Sequence, residues 1–483
     1  MSSSVVLTLT RLFQVLFLVL NIKLLTYFLT LGEVGQYYLI HGIVSFFGFF
    51  FIGPVGQFIN RNFHLWQRTK SLRTHFFLYV IYVLAASVVI CPLLIFITDY
   101  FGFFKFTNLG QLFFLIPVVL ILNSLTGTFF SLFNMNNRQV YFSISVIASL
   151  FFGILFCIFF KLMLQDKLNS FYWILGQNIL GPGIGIFFAL IAWRKITEGE
   201  ILKFSNREFI KLLKKVLNFS SPLIIVTLAG WFLGDSYRFA VARISGTDSL
   251  AVIAIGFAIS SGIFLSLDAL IQQIFYPGYY SSLENLGQEN LSIGNKTALK
   301  SMIEKILPAL VLISFFVITL APFLVKIFSK SEYRESFKYI VIGVMIHFFR
   351  IYSNVLSLYF HGENKTNNLL VPNLLMLVFF LLGTFLYSLR VFGAEYYLTF
   401  CALSYFFLCL YLNKLIFKDI LILKHRDNMS LCWGLPFLIN IYFWNKVLHF
   451  YSTLFVVSLS GLYLLVLSYF YYRNLKYYKI KRI

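Results

Sequence analysis

The chain has 483 residues, of which 59% are hydrophobic and only 12% are charged, and its mean hydropathy is +0.84. A soluble domain of this size cannot hide so much apolar surface, so the composition excludes a soluble protein and predicts an all-α polytopic membrane protein. A β-barrel is excluded as well, because the apolar runs are continuous and do not alternate with polar residues.

The net charge of +21 comes from 39 basic and 18 acidic residues. On a membrane protein, basic charge marks cytoplasmic loops and anionic headgroups, so we expect membrane lipids and no nucleic acid as partners. The cysteines form no CxxC pair and have no metal-ligand neighbourhood, which predicts small core residues, no metal site and no cofactor. They are Cys91, Cys157, Cys401, Cys409 and Cys432.

Apolar segments long enough to cross a bilayer, roughly 17–25 residues each, recur about fourteen times. In chain order these predicted spans lie near residues 5–30, 36–60, 76–98, 111–133, 140–162, 171–193, 220–244, 249–275, 306–328, 337–360, 369–389, 396–417, 432–445 and 450–472. The thirteenth is the weakest because it is short. The first is long enough to span and no small-residue cleavage site follows it, so we expect no cleavable signal peptide.

A basic stretch from Arg194 to Phe219 separates six spans from the remaining eight or so. Ser205 and Glu208 have capping-box spacing for a helix start. Apolar residues then recur at helical spacing opposite four basic ones, which predicts an amphipathic helix lying in the membrane interface. A charged loop that merely obeys membrane topology is the alternative. The apolar face consists of Phe209, Leu212, Leu213 and Val216, and the basic face of Arg207, Lys211, Lys214 and Lys215.

Lysine and arginine also follow spans two and twelve and end the chain, which places all these segments on one side if the spans alternate. That side is predicted to be cytoplasmic, with both termini inside. An outer cluster after span nine (Lys330, Arg334 and Lys338) is an exception that Glu332 and Glu335 only partly offset. The predicted organisation is an N-terminal lobe at 1–193, a linker at 194–218, a C-terminal lobe at 219–418, and spans thirteen and fourteen with a basic tail at 419–483.

Two pairs of segments suggest an internal repeat. Gly32 at the end of span one corresponds to Gly246 at the end of span seven, and Ser131 in span four corresponds to Ser357 in span ten. Both pairs keep their orientation, so the repeat would be parallel, about an axis along the membrane normal. Glycine and proline collect in spans two and six, which indicates close helix packing or, as a second interpretation, bending.

Ionisable groups at membrane depth cost about 2.5–3.5 kcal/mol each and by default face a partner or a wet cavity. In span one, Arg11, Gln14 and Asn21 share one arc of the helix and are predicted to line such a cavity. In span seven, Asp235 and Arg238 lie three residues apart and can neutralise each other. A structural ion pair and a role in transport are both open for that pair.

Span eight carries Asp268 without a cation in the same helix, which leaves open proton coupling or a salt bridge to another helix. Span ten carries His347, Arg350 and Asn354 on one face, near mid-membrane and without an acid. Since Arg350 cannot discard its charge, it needs an anion from elsewhere. That anion is either a carboxylate of another helix or a phosphate of a ligand.

Several short runs resemble the Wzx-type O-antigen flippases, bacterial polysaccharide exporters of the multidrug/oligosaccharidyl-lipid/polysaccharide superfamily. The runs are Leu31-Gly32-Glu33-Val34-Gly35-Gln36-Tyr37-Tyr38 with Asn60-Arg61, Gly234-Asp235-Ser236-Tyr237-Arg238-Phe239, and His361-Gly362-Glu363-Asn364-Lys365. Two additional residues separate Asp235 from Arg238 relative to the usual Asp-Arg pair. The resemblance extends from about residue 5 to 417.

The resemblance implies two six-helix lobes enclosing a central cationic cavity, with two peripheral helices. It also implies export of a lipid-diphosphate-linked oligosaccharide across the bacterial inner membrane, coupled to Na⁺ or H⁺, with possible contact to glycan polymerase machinery. Cationic groups suit the diphosphate. The predicted substrate residues are Arg11, Gln14, Asn21, Arg238, His347, Arg350 and Asn354, and the predicted coupling residues are Asp235 and Asp268. A drug/cation antiporter of the same superfamily and a membrane glycan polymerase or ligase are the alternatives.

Overall fold

The computed structural model of the protein describes residues 3–100, 109–135, 138–165, 168–194, 206–284, 291–363 and 365–417. These ranges are helical and contain no β-strand. The predicted all-α class is therefore confirmed. By its own contacts the chain divides into two compact units, Met1–Ala251 and Val252–Ile483.

The described part of the first unit consists of ten helices and the N-terminal part of an eleventh. They are α1 (Ser3–Phe28), α2 (Leu31–Phe47), α3 (Gly53–Arg68), α4 (Leu72–Ala85), α5 (Cys91–Tyr100), α6 (Leu109–Met135), α7 (Gln139–Leu164), α8 (Ser170–Ile174), α9 (Gly181–Arg194), α10 (Asn206–Gly234) and α11 (Tyr237–Glu284). The second unit holds the rest of α11, then α12 (Leu291–Phe328), α13 (Ser336–Gly362), α14 (Leu370–Ser388) and α15 (Ala394–Phe417).

Within the described residues, 11 stretches are long and apolar enough to cross a membrane. The longest, Leu223–Tyr280, has 58 residues and contains predicted spans seven and eight together. The described helices thus account for the first twelve predicted spans. Spans thirteen and fourteen lie outside the described residues. The chain is a multi-pass membrane protein, as its composition predicts. Four of the five cysteines are buried and free, as predicted for core residues.

The turn between α1 and α2 is held by a reciprocal cap. The backbone N–H of Glu33 donates to Thr30 Oγ1, and the Glu33 carboxylate accepts from the backbone N–H of Thr30 at 2.9 Å. This pair satisfies two amides that a helix start otherwise leaves free. The glutamate of the Leu-Gly-Glu run therefore defines where span two begins.

The glycines of span six allow helices to approach closely. A Cβ at Gly181 would lie 2.5 Å from the carbonyl oxygen of Ser149 in α7, and one at Gly185 would lie 2.9 Å from that of Ser145. Any larger residue would push the two backbones apart. Close packing, the first interpretation of the glycine-rich spans, is confirmed for span six.

Three spans are interrupted by π-helical turns, Gly48–Ile52, Ala86–Ile90 and Leu175–Leu180. In the first, Gly53 N–H bonds to the carbonyl of Gly48, five residues back. Tyr82 Oη donates to the carbonyl of Phe51 in the same turn at 2.7 Å. A Cβ on Gly48 would meet no described heavy atom within 4 Å. In span two, then, this glycine accompanies an irregular helix and not a close contact.

The predicted interfacial helix does not form an element of its own. Its amphipathic turns are the start of α10, which continues without interruption from Asn206 through span seven to Gly234. The helix begins next to the predicted cap, although Ser205 itself lies outside the described residues. Phe219 in this helix packs on Phe58, with ring centroids 5.6 Å apart, and takes the guanidinium of Arg61 at 5.3 Å from its centroid. The segment is thus an extension of span seven that is anchored to α3.

The outer basic cluster proves to be locally paired. Lys330 Nζ lies 2.8 Å from Glu332, and Lys338 Nζ lies 3.6 Å from Glu335 and 3.2 Å from Glu395. The carboxylates next to these lysines in sequence, together with one from the start of α15, offset the charge of the two lysines. The cluster remains an exception to the asymmetry, because that rule counts basic residues and not net charge.

The Gly-Lys turn after α13 closes a polar junction at the end of span ten. A Cβ on Gly362 would lie 3.0 Å from Tyr279 Oη and 3.1 Å from Asn295 Nδ2. Asn295, fully buried, accepts from Tyr279 and donates to the carbonyl of Tyr359 at 2.9 Å. Burial raises the pKa of Glu363, but hydrogen bonds from Tyr359 and Lys365 outweigh it and hold that pKa below its usual range.

The two repeat-related glycine turns of the first unit touch each other. A Cβ on Gly35 would lie 2.0 Å from the carbonyl oxygen of Thr247, and one on Gly32 would lie 3.2 Å from Asp248 Oδ1. Gly246 has φ +87°, which few residues other than glycine adopt, and it kinks α11 at this point. The predicted correspondence of Gly32 and Gly246 therefore pairs two turns that are also neighbours in space.

We expect Gly35→Val to lower stability by about 1–3 kcal/mol or more, because its side chain must displace backbone atoms. Gly48→Ala is the matched control in the same span and should change stability by less than about 1 kcal/mol. The midpoint of thermal unfolding in detergent and the amount of protein in membranes measure both. Equal midpoints for the two variants would contradict the Gly35 contact.

Candidate functional site

The first predicted polar face lies on α1. Arg11 Nη1 donates to Gln14 Oε1 at 2.8 Å, and the guanidinium sits 5.7 Å from the ring centroid of Phe142 in α7. The Gln14 side chain, one turn along the same helix, and the Phe142 ring thus hold the Arg11 side chain in place. Arg11 Nε is buried and has no hydrogen-bond partner among the described residues. The group keeps donor capacity that the described residues do not use.

Asn21, the third residue of that arc, lies two to three turns further along α1. It is half-buried and interacts with Tyr37 of α2. Its Oδ1 has no partner among the described residues. The helical spacing predicts Asn21 on the same face as Arg11 and Gln14. In the structure, Asn21 is the residue of this face that contacts α2.

Asp235 and Arg238 occupy the break between α10 and α11. Arg238 Nη2 lies 2.9 Å from Asp235 Oδ1, so the predicted neutralising pair is confirmed. The backbone turns here, since Arg238 N–H bonds to the carbonyl of Asp235 at 3.2 Å. The guanidinium also faces the rings of Tyr38 and Tyr237, at 5.9 and 5.8 Å from their centroids. The site therefore holds a cation among aromatic faces with one carboxylate beside it.

Trp231 ties this break to α2. Its Nε1–H lies 3.0 Å from Ser45 Oγ and 3.3 Å from the carbonyl of Gly42, and it can donate to either. A Cβ on Gly42 would meet the ring of Phe239 at 3.1 Å. Span seven lies within the first compact unit, Met1–Ala251.

A partly buried polar pair beside this cluster was not anticipated from the sequence. Asn178 Nδ2 donates to His41 Nε2 at 2.8 Å, joining α2 to the π-helical turn of span six. Both residues lie in glycine-rich spans that were interpreted through helix packing alone. The polar side chains of His41 and Asn178 inside two predicted spans were the available signal. His41 also experiences the charge of Arg238, so the pair and the ion pair form one polar cluster in the first unit.

The second unit contains the other predicted cluster, on α11 and α13. Arg350 acts electrostatically on the carboxylate of Asp268, and Gln272 and Asn354 interact with the same carboxylate. The sequence left two anions possible for Arg350, and one of them, a carboxylate from another helix, is present. None of the ion pairs of the described residues joins Asp268 directly to Arg350. The two charges are neighbours without forming a closed salt bridge.

His347 completes this face of α13. It is buried and stacks on Phe264, with ring centroids 6.2 Å apart and an angle of 22° between the ring planes. Asn354, two turns further along, is exposed. Exposure therefore increases along this face, from the buried His347 through the half-buried Arg350 to the exposed Asn354.

The hydrogen-bonding capacity of this cluster is incompletely used. Asp268 Oδ1, His347 Nδ1 and Arg350 Nη2 are buried atoms without a hydrogen-bond partner among the described residues. Buried polar atoms normally find partners, and unfilled ones call for an explanation such as a ligand, ion or water. A guanidinium nitrogen that is free to donate can take a phosphate or carboxylate oxygen. The cluster can thus bind an anion beside Arg350 or a proton or cation beside Asp268.

We expect Asn178→Leu to lower stability by about 0.5–1.5 kcal/mol, the net contribution of one hydrogen bond, since it leaves the half-buried His41 without its donor. The double variant Asn178→Leu/His41→Phe should recover part of that loss, because removing both partners leaves no unsatisfied polar group. Thermal unfolding of the two purified variants makes the comparison. If Asn178→Leu is as stable as the parent, the His41–Asn178 hydrogen bond does not contribute to stability.

Comparison with known proteins shows the fold. No protein-family model and no curated protein sequence matches the chain. The lipid II flippase MurJ in an inward closed conformation superimposes with a TM-score of 0.66 at 16% identity, over 98% of this chain and 99% of that one. An inward-facing multidrug-resistance transporter of the MATE family of the MOP superfamily gives 0.55 at 12% identity, over 86% and 99%. A point mutant of the Vibrio cholerae MATE transporter VcmN gives 0.54 at 14%, over 86% and 98%.

The chain therefore shares the fold of these solved membrane transporters. Identities of 12–16% establish the architecture and leave the cargo to be argued from the residues.

Proposed function

We propose that this protein is a flippase that moves a lipid-diphosphate-linked oligosaccharide, an O-antigen or capsule repeat unit, from the cytoplasmic to the outer leaflet by alternating access. The fold likeness to a lipid II flippase over nearly the whole chain supports a lipid-linked substrate. The likenesses are to transporters, so we propose transport and not glycan polymerisation or ligation.

One observation carries the proposal. Arg350 is set halfway along a membrane-spanning helix and retains a free guanidinium nitrogen beside His347 and Asn354. A permanent charge at this depth needs an anion, and Asp268 does not close a direct ion pair with it. The guanidinium fork suits two phosphate oxygens. A substrate diphosphate would supply the anion that Arg350 lacks.

The remaining predicted substrate residues are proposed to act in the same way in the first unit. Arg11 with Gln14 and Asn21 would offer hydrogen-bond donors along α1, and Arg238 would do so among tyrosine rings. Aromatic faces beside a cation suit a glycan attached to a phosphate, because sugars pack on rings and phosphates accept from guanidinium.

Ion coupling is assigned to Asp235 and Asp268. Both are carboxylates in spans, and each lies beside an arginine whose charge competes with that of an incoming H⁺ or Na⁺. When substrate phosphate occupies an arginine, its carboxylate loses a partner and can take the cation instead. This exchange would link cargo binding to ion binding.

The proposed location is the bacterial inner membrane with both termini cytoplasmic. It rests on the lysine and arginine asymmetry of the segments between spans, to which the cluster of Lys330, Arg334 and Lys338 stays an exception. Membrane lipids are implied partners, and contact with glycan polymerase machinery remains a prediction.

A drug/cation antiporter is the second candidate, since two transporters of the MATE family share the fold. An organic cation would require a carboxylate-rich site. The described spans instead set an arginine beside each of Asp235 and Asp268, which makes a binding site for a cationic drug less favourable.

We expect Arg350→Ala to weaken binding of a lipid diphosphate roughly ten- to a hundred-fold, the worth of one or two charge-assisted hydrogen bonds. Surface glycan in cells that depend on this chain should disappear while the protein still inserts. Arg350→Lys should be partly active, and Lys23→Ala should be nearly silent.

The rival is a purely structural role for Arg350 opposite Asp268. In that case Arg350→Ala would lower the amount of protein in the membrane, and Asp268→Ala in the same chain would restore it. A stable, fully active Arg350→Ala protein would defeat both roles.

We expect Asp268→Asn to flatten the dependence of transport on pH or Na⁺ while the protein stays folded, because the amide cannot take up a cation. Transport into vesicles under imposed ion gradients measures this, and Glu304→Gln is the control, an exposed acid at the predicted cytoplasmic end of α12. Unchanged dependence on every ion tested would exclude Asp268 from coupling.

We expect a cysteine at Lys211, exposed on α10, to react with a membrane-impermeant thiol reagent only from the cytoplasmic side. Four native cysteines are buried, and Cys432 is first replaced by serine to remove background. Labelling from outside would invert the whole proposed topology.

A further inference from the structure

A groove runs between α14 and α15 in the second unit. It encloses about 400 Å³, a volume within the range of small-ligand pockets. Its walls are formed by Pro372, Leu375, Met376, Phe379, Phe407, Leu408, Leu410, Tyr411 and Lys414.

The groove is apolar along its length and cationic at one end. Lys414 is exposed and lies one turn before α15 ends at Phe417, and Pro372 lies in the first turn of α14. Because both helix ends belong to the same end of the groove, this end lies at the depth of a membrane interface. The rest of the groove points toward the hydrocarbon region.

The Lys414 ammonium group has no carboxylate partner among the described residues. None of the ion pairs of the described residues includes Lys414. Asn413, the residue before it, is buried and accepts from Tyr352 Oη of α13 at 3.2 Å. That contact fixes one side of α15 against α13 and leaves Lys414 on the side of the groove.

We propose that this groove binds an anionic phospholipid of the bilayer, with one acyl chain along the apolar walls and the phosphate on Lys414 and the Tyr411 hydroxyl. Apolar walls match the chain, and a single lysine at interface depth matches the negative headgroup. In the proposed orientation the lipid comes from the cytoplasmic leaflet, but the site itself does not depend on that orientation or on the proposed cargo.

The test uses the full chain reconstituted into vesicles, with a tryptophan introduced by Phe407→Trp as a reporter in the groove. Phospholipids with brominated acyl chains quench a nearby tryptophan, so quenching by brominated phosphatidylglycerol is compared with quenching by brominated phosphatidylcholine. The parent chain supplies the background of its six native tryptophans. One lysine near the membrane surface is worth about a five-fold preference for the anionic lipid.

We expect that preference in the reporter chain, its loss in Lys414→Gln, and its retention in Lys414→Arg. Lys300→Gln is the matched control, because Lys300 is exposed on α12 and does not line the groove. Equal quenching by both lipids would show a groove that takes any acyl chain. Quenching by neither would show that residues 418–483 or another segment covers it. Either result overturns the proposal.

Discussion

The cost of a charge at membrane depth is the constraint on which this structure depends. Each arginine within a span must find an anion, an aromatic face or water, because hydrocarbon provides none of these. Arg11 rests on a glutamine and a phenylalanine ring, and Arg238 on an aspartate and two tyrosines. These partners come from several helices, so the charges fix how the helices pack as well as what they can bind.

The two compact units answer this constraint in different ways. In the first unit the ion pair of Asp235 and Arg238 is closed at 2.9 Å, and a His41–Asn178 hydrogen bond stands beside it. In the second unit Asp268 and Arg350 are neighbours with free polar atoms on both. A closed pair resists new ligands because binding must first break it, whereas an open pair offers its capacity at once. The open cluster is accordingly the stronger candidate for first contact with an anion.

Hydropathy was a reliable guide to the spans because a backbone in hydrocarbon must satisfy its own hydrogen bonds, which leaves little besides helices. Helix ends were harder to predict. α12 begins at Leu291 and not near 306, since its first turns are polar enough to escape a hydropathy window. The pair of Asp235 and Arg238, three residues apart, could be predicted from spacing. The approach of Asp268 to Arg350, and the bond between His41 and Asn178, join helices far apart in sequence, and no spacing rule encodes such contacts.

The π-helical turn in span two has a consequence for how this chain tolerates insertions and deletions. A π turn holds one residue more than an α turn, so it behaves as a single insertion fixed within a helix. Because the wide turn already absorbs the extra residue, removing one residue between Gly48 and Ile52 and restoring α geometry would keep α2 and α3 in rotational register. The face that carries Ser45 toward Trp231 and the face that carries Phe58 and Arg61 toward Phe219 would still both point at α10. A deletion between Gly53 and Phe58 has no wide turn to absorb it and would rotate the residues beyond it by about 100°.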